Sequence, residues 1–135
     1  MVTAERIEKT TLKNLLHNED YTRKVLPFLK PEYFDDRTER IVFSEIQKFI
    51  QQYNKRPTKE TLQIDIGKRK DLNEEEFKKI VDLVSTLNKE EIDLDWLVNT
   101  TEKFCKDRAI HNAVMNGIHI LDGKDNKQTP EAIPE

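Results

Sequence analysis

PEYFDDRTERIVFSEIQKFIQQYNKRPTKETL, residues Pro31 to Leu62, sets Tyr33, Phe34, Phe43, Phe49 and Tyr53 in a segment otherwise dense with charge. Ile41, Val42, Ile46, Phe49, Ile50 and Tyr53 recur at i, i+3/i+4 spacing, so they share one wide stripe of a helix, and Phe43 widens it. Asp35 or Asp36 is the expected N-cap, and the helix is expected to reach about Tyr53. Pro57 biases Arg56 away from the helical region and ends the run. The stretch offers no glycine loop, metal cluster or nucleophile with a base beside it. Its aromatic stripe therefore reads as the core of a helical head.

On the N-terminal side, Ile7, Leu12, Leu15 and Leu16 keep helical spacing between Thr3 and His17. Asn18 then caps a short helix from Asp20 to Leu26, which Pro27 ends, and Pro31 opens a brief turn carrying Tyr33 and Phe34. On the C-terminal side, Thr58 caps a fourth helix with Leu62, Ile64 and Ile66, ended by Gly67. Asn73 with Glu76 three residues on forms a capping box for a fifth, carrying Phe77, Ile80, Leu83, Val84 and Leu87. Asp93 caps the last and longest helix, expected to run to about Asp122 with Gly123 just past its end. The closing KDNKQTPEAIPE is polar and proline-marked, and reads as a linker. The domain expectation is thus a helical domain over residues 1–122 and a linker over residues 123–135.

The bulk properties agree with an all-α chain. At 135 residues it is one domain's worth, enough to bury roughly 65–70% of its unfolded surface. The charged and hydrophobic fractions are both 36%, with three glycines, which favours helices with solvated outer faces over a β-sandwich. A net charge of −3 argues against strong sequence-independent binding of nucleic acid, which needs a basic excess. The single cysteine, Cys105, excludes an internal disulfide and points to a reducing compartment. No apolar run approaches the roughly 20 residues of a membrane span, and mixed polar residues follow Met1. The expectation is a soluble, cytoplasmic chain with no membrane partner.

The fifth and sixth helices are separated by a short polar turn, which predicts an antiparallel hairpin. At 1.5 Å per residue the fifth would be about 22 Å long and the sixth about 42–45 Å. The hairpin partner would therefore cover only the first half of the sixth, around Trp96, Leu97, Phe104 and Cys105. The second half carries Ile110, Val114, Met115, Ile118, Ile120 and Leu121. At about 25 cal/mol per Å² of buried apolar area, leaving these wet forgoes several kcal/mol. Cover must come from the head folding back or from a second copy. The candidate oligomer interface is thus Ile110, Val114, Met115, Ile118 and Leu121. Gly117 lies within it, either as a site of close helix approach or as a tolerated weak point.

Catalytic chemistry finds little support. Cys105, His111 and His119 match no common zinc spacing, and Asp107 with His111 reads as a surface pair one turn apart. Glu74, Glu75 and Glu76 occupy the first turn of a helix, where they meet its dipole favourably. No G-x-x-x-x-G-K-[ST] phosphate cradle is present. Catalytic, cofactor-binding and metal-binding residues are therefore none. Lys55, Arg56, Lys68, Arg69 and Lys70 flank the fourth helix and are the candidate contacts to nucleic acid or a partner. They support an alternative reading as a free-standing helical DNA-binding or adaptor protein.

Several short motifs, in order, resemble the N-terminal domain of replicative DNA helicases of the DnaB type. They are Tyr33-Phe34, then Ile41-x-Phe43-x-x-Ile46, then Pro57 with Thr61-Leu62. Asp95-Trp96-Leu97-Val98, Thr101-Glu102-Lys103, Arg108-Ala109, Asn112-Ala113 and Ala132-Ile133-Pro134 are similar to the branch found in T4-like phages. The likeness extends from about Tyr21 to Pro134. It departs from bacterial members at Glu39-Arg40, where His-Arg is commoner, and at Thr58 after Pro57. The resemblance implies a helical head followed by a helical hairpin, with six copies forming a two-tiered collar as a trimer of dimers. It also implies contact with primase and a helicase loader, and with single-stranded DNA through the full assembly. ATP and magnesium would belong to a RecA-like motor beyond the linker, so the cofactor expectation for these residues is none.

Overall fold

A computed structural model describes residues 6–127, with side chains to Ile118. Among the described residues all regular structure is helical: α1 (Ile7–His17), α2 (Glu19–Val25), α3 (Arg37–Tyr53), α4 (Lys59–Gly67), α5 (Glu74–Ser85) and α6 (Leu94–Lys127). Two 3-10 turns, Leu26–Phe28 and Pro31–Tyr33, join α2 to α3. The all-α fold class expected from the sequence is the one observed.

The starts of α2 to α6 follow the sequence closely because a side chain fixes each by a local hydrogen bond, whereas Arg6 before α1 forms no such cap. The side chain of Asn18 accepts from the Tyr21 amide at 3.1 Å, and that of Asp36 from the Thr38 amide at 3.1 Å. Thr58 accepts from the Thr61 amide at 3.1 Å. The capping box closes in both directions, with Asn73 Oδ1 taking the Glu76 amide at 2.7 Å and Glu76 Oε1 taking the Asn73 amide at 3.1 Å. Each such cap stabilises its helix by about 1 kcal/mol. α3 stops at Asn54, which adopts the left-handed conformation at φ 57° and gives its amide to the Ile50 carbonyl at 2.8 Å. Asparagine tolerates this region better than most residues, since its short polar side chain bonds locally.

The core gathers Leu12, Leu15, Tyr21, Phe34, Phe43, Ile46, Leu62, Ile80 and Leu97, all shut off from water. Phe34 stacks on Phe43 at 5.0 Å between ring centres, and Phe104 of α6 meets Phe34 edge-on at 6.2 Å. The α3 stripe is buried through Ile46 but loosens beyond it. Phe49 and Ile50 are half-buried, and Tyr53 is exposed, its ring centre 4.7 Å from that of Phe49. In α4, Leu62 and Ile66 are buried one turn apart, whereas Ile64 lies between them on the other side and faces water. The two buried carboxylates are each paired: Glu39 receives Arg6 at 2.6 Å and Glu45 receives Arg69 at 2.9 Å. Burial pushes the Glu39 carboxyl above its ordinary range, with Arg6 acting against that shift.

The long helices do not pair as the turn between them implied. α5 packs on α3 and α4, while α6 packs on α2, with lesser contacts to α1 and the second 3-10 turn. The cause is the connection over residues 86–93, which is itself part of the core. Leu87 is fully buried there, and His17 Nε2 donates to its carbonyl at 2.8 Å. Glu90 is held by Asn14 Nδ2 at 3.1 Å and Lys13 at 3.4 Å. The segment is therefore laid across α1 and delivers α6 to the α2 side of the head. α6 also passes Gly123 without ending and continues to Lys127, so the expected stop at Gly123 is replaced by a longer rod of 34 residues, about 51 Å. The expected start of α1 at Thr3 lies outside the described residues; the helix is seen from Ile7, behind Arg6.

Candidate interaction surface

The first half of α6 is locked to the head. Asp93 Oδ2 accepts from the Trp96 amide at 2.8 Å and starts the helix. Leu97 and Thr101 are then fully buried, with Phe104 and Cys105 nearly so. The Tyr21 hydroxyl and Thr101 Oγ1 share a buried hydrogen bond of 2.7 Å. One turn on, Arg108 reaches the Asp35 carboxylate, and Asn112 Nδ2 donates to the Glu32 carbonyl at 3.2 Å. Arg40 meanwhile holds the same corner from α3, through the Phe34 carbonyl at 3.0 Å and the Asp35 carbonyl at 2.8 Å. Tyr33-Phe34, Arg108 and Asn112, far apart in sequence, thus form one joint that fixes the direction of the rod. Trp96 does not take part: it is 53% exposed, so the expectation that the first half is covered there is corrected.

From Ile110 onward the cover thins. Ile110 is 64% exposed, Val114 55%, Met115 50% and Ile118 50%. The head does not fold back over them, which removes one of the two forms of cover expected from the sequence. At 3.6 residues per turn, Leu97, Thr101, Phe104 and Arg108 share one side of the helix, and Met115 continues it. Ile110 and Val114 lie about 140° and about 100° round the helix from Leu97, on the side Trp96 also faces, and Ile118 winds back to about 60° from it. Ile110, Val114 and Ile118 therefore form a stripe that starts on the far side of the helix and winds toward the side that Met115 continues. Sequence reading grouped them by position along the helix; the signal that separates them was the phase of the spacing. The side chain of Leu121, and that of His119, lies outside the described residues. A Cβ added at Gly117 would meet nothing within 4 Å, so no neighbour in this chain requires glycine there.

The five basic candidates are used in different ways. Arg69 bonds Asp71 at 2.7 and 3.0 Å as well as Glu45, and this fork pulls the exposed Asp71 carboxyl down to about 2. Lys68 faces Asp65 at 3.8 Å. Arg56 gives Nη1 to the Leu16 carbonyl at 2.8 Å, closing the C-terminal end of α1. Lys55 and Lys70 are exposed. Burial, with Glu102 nearby, pushes the Cys105 thiol up to about 11, the reverse of what a nucleophile needs. Asp107 pairs with Lys103 at 3.0 Å. Among the described residues no group of three or more His, Cys, Asp or Glu is placed to hold a metal, and no helix is long and apolar enough to cross a membrane.

Comparison with known proteins agrees with this architecture. The family described as the DnaB-like helicase N-terminal domain matches residues 2–93, which holds the whole head and stops just before α6. A DnaB-like replicative helicase of Enterobacteria phage T4 is 30% identical over 132 residues, covering 92% of this chain. That alignment takes in only 28% of the phage protein, so the chain spans little more than a quarter of its relative's length. The family match rests on the α1–α5 head, and the likeness to the phage protein extends to the rod as well. The chain belongs to the family of DnaB-like helicase N-terminal domains.

Proposed function

We propose that this domain is the non-catalytic collar of a hexameric replicative DNA helicase, joining subunits and docking primase or a helicase loader during DNA replication. The unwinding itself, with ATP and magnesium, belongs in this reading to a motor domain carried by the rest of a longer protein. Single-stranded DNA then meets the collar through the whole assembly, and the place of action is the cytoplasm of the host cell. The observation that carries the reading is the apolar stripe Ile110, Val114 and Ile118 on a rod that the head leaves bare. Exposed apolar side chains at i, i+4, i+8 suit another helix laid alongside, and a second copy supplies one with the same stripe.

Light scattering across a range of concentrations tests it. The wild-type domain is expected to gain mass with concentration. Ile118→Glu and Val114→Glu are expected to hold the mass at that of a monomer while far-UV circular dichroism stays unchanged. Both positions are already at least half exposed, so the substitutions place charge in water and not in a core. Wild-type masses for both variants would remove the rod as the assembly surface. Loss of helicity would show that the stripe stabilises the monomer instead.

A further inference from the structure

α2, the first 3-10 turn and the C-terminal end of α3 enclose an open groove of about 740 Å³. The α2 residues on its wall, Glu19 and Arg23, are turned away from Tyr21, which faces α6. The groove is thus on a different surface from the bare stripe of the rod. Half-buried Leu26 and Ile50 give it an apolar patch within a lining that is otherwise largely polar. Gln47 and Gln51, one turn apart on α3, line it with amides that both donate and accept. Asn54 then turns the chain through its left-handed conformation and brings Lys55 and Arg56 to the mouth.

The charges at this mouth are not cancelled. Glu19 and Arg23 form an ion pair with one another. Arg56 is fixed by its bond to the Leu16 carbonyl in the last turn of α1, whose negative end offsets part of its charge, and it forms no ion pair among the described residues. Lys55 is exposed and forms no ion pair among the described residues. Two cations without a carboxylate partner, beside the apolar patch of Leu26 and Ile50, stand out on a chain whose net charge is −3. A phosphate backbone would be served by a longer run of cations and gains nothing from an apolar patch. A peptide with apolar side chains on one face and carboxylates at its edge matches all parts of the lining.

We infer that this groove binds an acidic amphipathic segment of a partner protein, its apolar side chains over Leu26 and Ile50 and its carboxylates at Lys55 and Arg56. The inference gives the partner docking of the proposed function a place and a chemistry, and it is independent of assembly through α6.

The test uses a fluorescein-labelled helical peptide of leucine and glutamate, and its counterpart with lysine for every glutamate, followed by anisotropy. The wild-type domain is expected to bind the glutamate peptide at least about tenfold more tightly, with the difference shrinking as salt rises. Lys55→Glu and Gln51→Glu, both at exposed positions, are expected to weaken that binding about tenfold or more each, while Lys70→Glu does not. Ile118→Glu is expected to change the mass of the domain and leave peptide binding intact, so failure of the collar reading and failure of this one are told apart. Equal binding of the two peptides, binding of neither, or wild-type affinity in Lys55→Glu overturns the inference. So does a single-stranded oligonucleotide that displaces the glutamate peptide and is itself lost in Lys55→Glu.

Discussion

The two halves of α6 are one unbroken helix, yet the same kinds of side chain behave oppositely in them. In the first half Leu97, Thr101 and Phe104 are buried against Tyr21 and Phe34, and even the Thr101 hydroxyl has a partner at 2.7 Å. In the second half Ile110, Val114 and Ile118 each leave half or more of their surface in water. Helix propensity does not distinguish them, since both halves carry β-branched residues amid charge. The head does: it supplies Tyr21, Phe34, Asp35 and the Glu32 carbonyl up to Asn112, and among the described residues it offers no hydrogen bond to α6 beyond that point. The first half is an anchor whose burial contributes to folding, and the second is a surface held out at a fixed angle by that anchor. Rigidity of the joint is what makes the outer stripe usable, because a partner need not first order the rod.

Thiol labelling gives the widest contrast. Cys105 lies in the anchored half, buried, with its thiol pushed up to about 11. At pH 8 it is expected to react with a maleimide only when the fold opens, slowed by about a thousandfold or more relative to the denatured chain. Ala113→Cys, at an exposed position of the outer half, is expected to react at nearly the rate of a free peptide thiol. Comparable rates at the two positions would erase the distinction between the halves. The pH dependence has a definite sign. A raised thiol pKa means the fold favours the protonated form, so this contribution to stability is complete below about pH 9 and is lost as pH climbs through about 11.

Truncation makes the same comparison in free energy. Leu97→Ala removes a fully buried side chain and is expected to cost about 2–5 kcal/mol in urea unfolding. Val114→Ala removes one that is 55% exposed, and its expected cost is within about 0.5 kcal/mol at protein concentrations where the domain is a monomer. A large loss at Val114 under those conditions would mean that the outer half is covered within the chain after all.

How far the sequence reveals this division depends on the range of the interactions involved. Caps are settled within three residues, so Asn18, Thr58, Asn73 and Asp93 could be read directly and the α3 cap narrowed to Asp35 or Asp36, of which Asp36 forms the bond. The α3 stripe was legible for the same reason as far as Ile46. Beyond that point burial depends on what lies opposite, and Tyr53 is left half in water beside Phe49. The pairing of long helices was not legible. Leu87 reads as the last apolar residue of α5 and residues 88–93 as a polar turn, until α5 is seen to end at Ser85, with Leu87 in the core and Glu90 bonded to α1, two facts that need elements some 70 residues apart. Charge runs misled in a similar way. Lys68, Arg69 and Lys70 look like a patch, but Arg69 belongs to Glu45 and Asp71. The groove cations Lys55 and Arg56 were visible, whereas the amides and apolar patch beside them come from α2 and α3 and acquire meaning only when folded.

Gly117 yields the smallest effect and the finest discrimination. It lies within the outer half, in helical structure, and a Cβ there meets no atom of this chain within 4 Å. In a monomer Gly117→Ala should therefore stabilise the helix by about 0.5–1 kcal/mol, because alanine loses less backbone freedom on folding. If the glycine is merely tolerated, the variant gains that stability and assembles like the wild type. If another rod approaches closely at this point, the added methyl group holds the two backbones apart. Assembly then weakens even as the isolated monomer becomes more stable. Thermal melting at low concentration reads the first quantity and light scattering at high concentration reads the second. A stabilised monomer with reduced mass places a helix crossing at Gly117, and a stabilised monomer with unchanged mass moves the contact to the Ile110, Val114 and Ile118 stripe without close backbone approach.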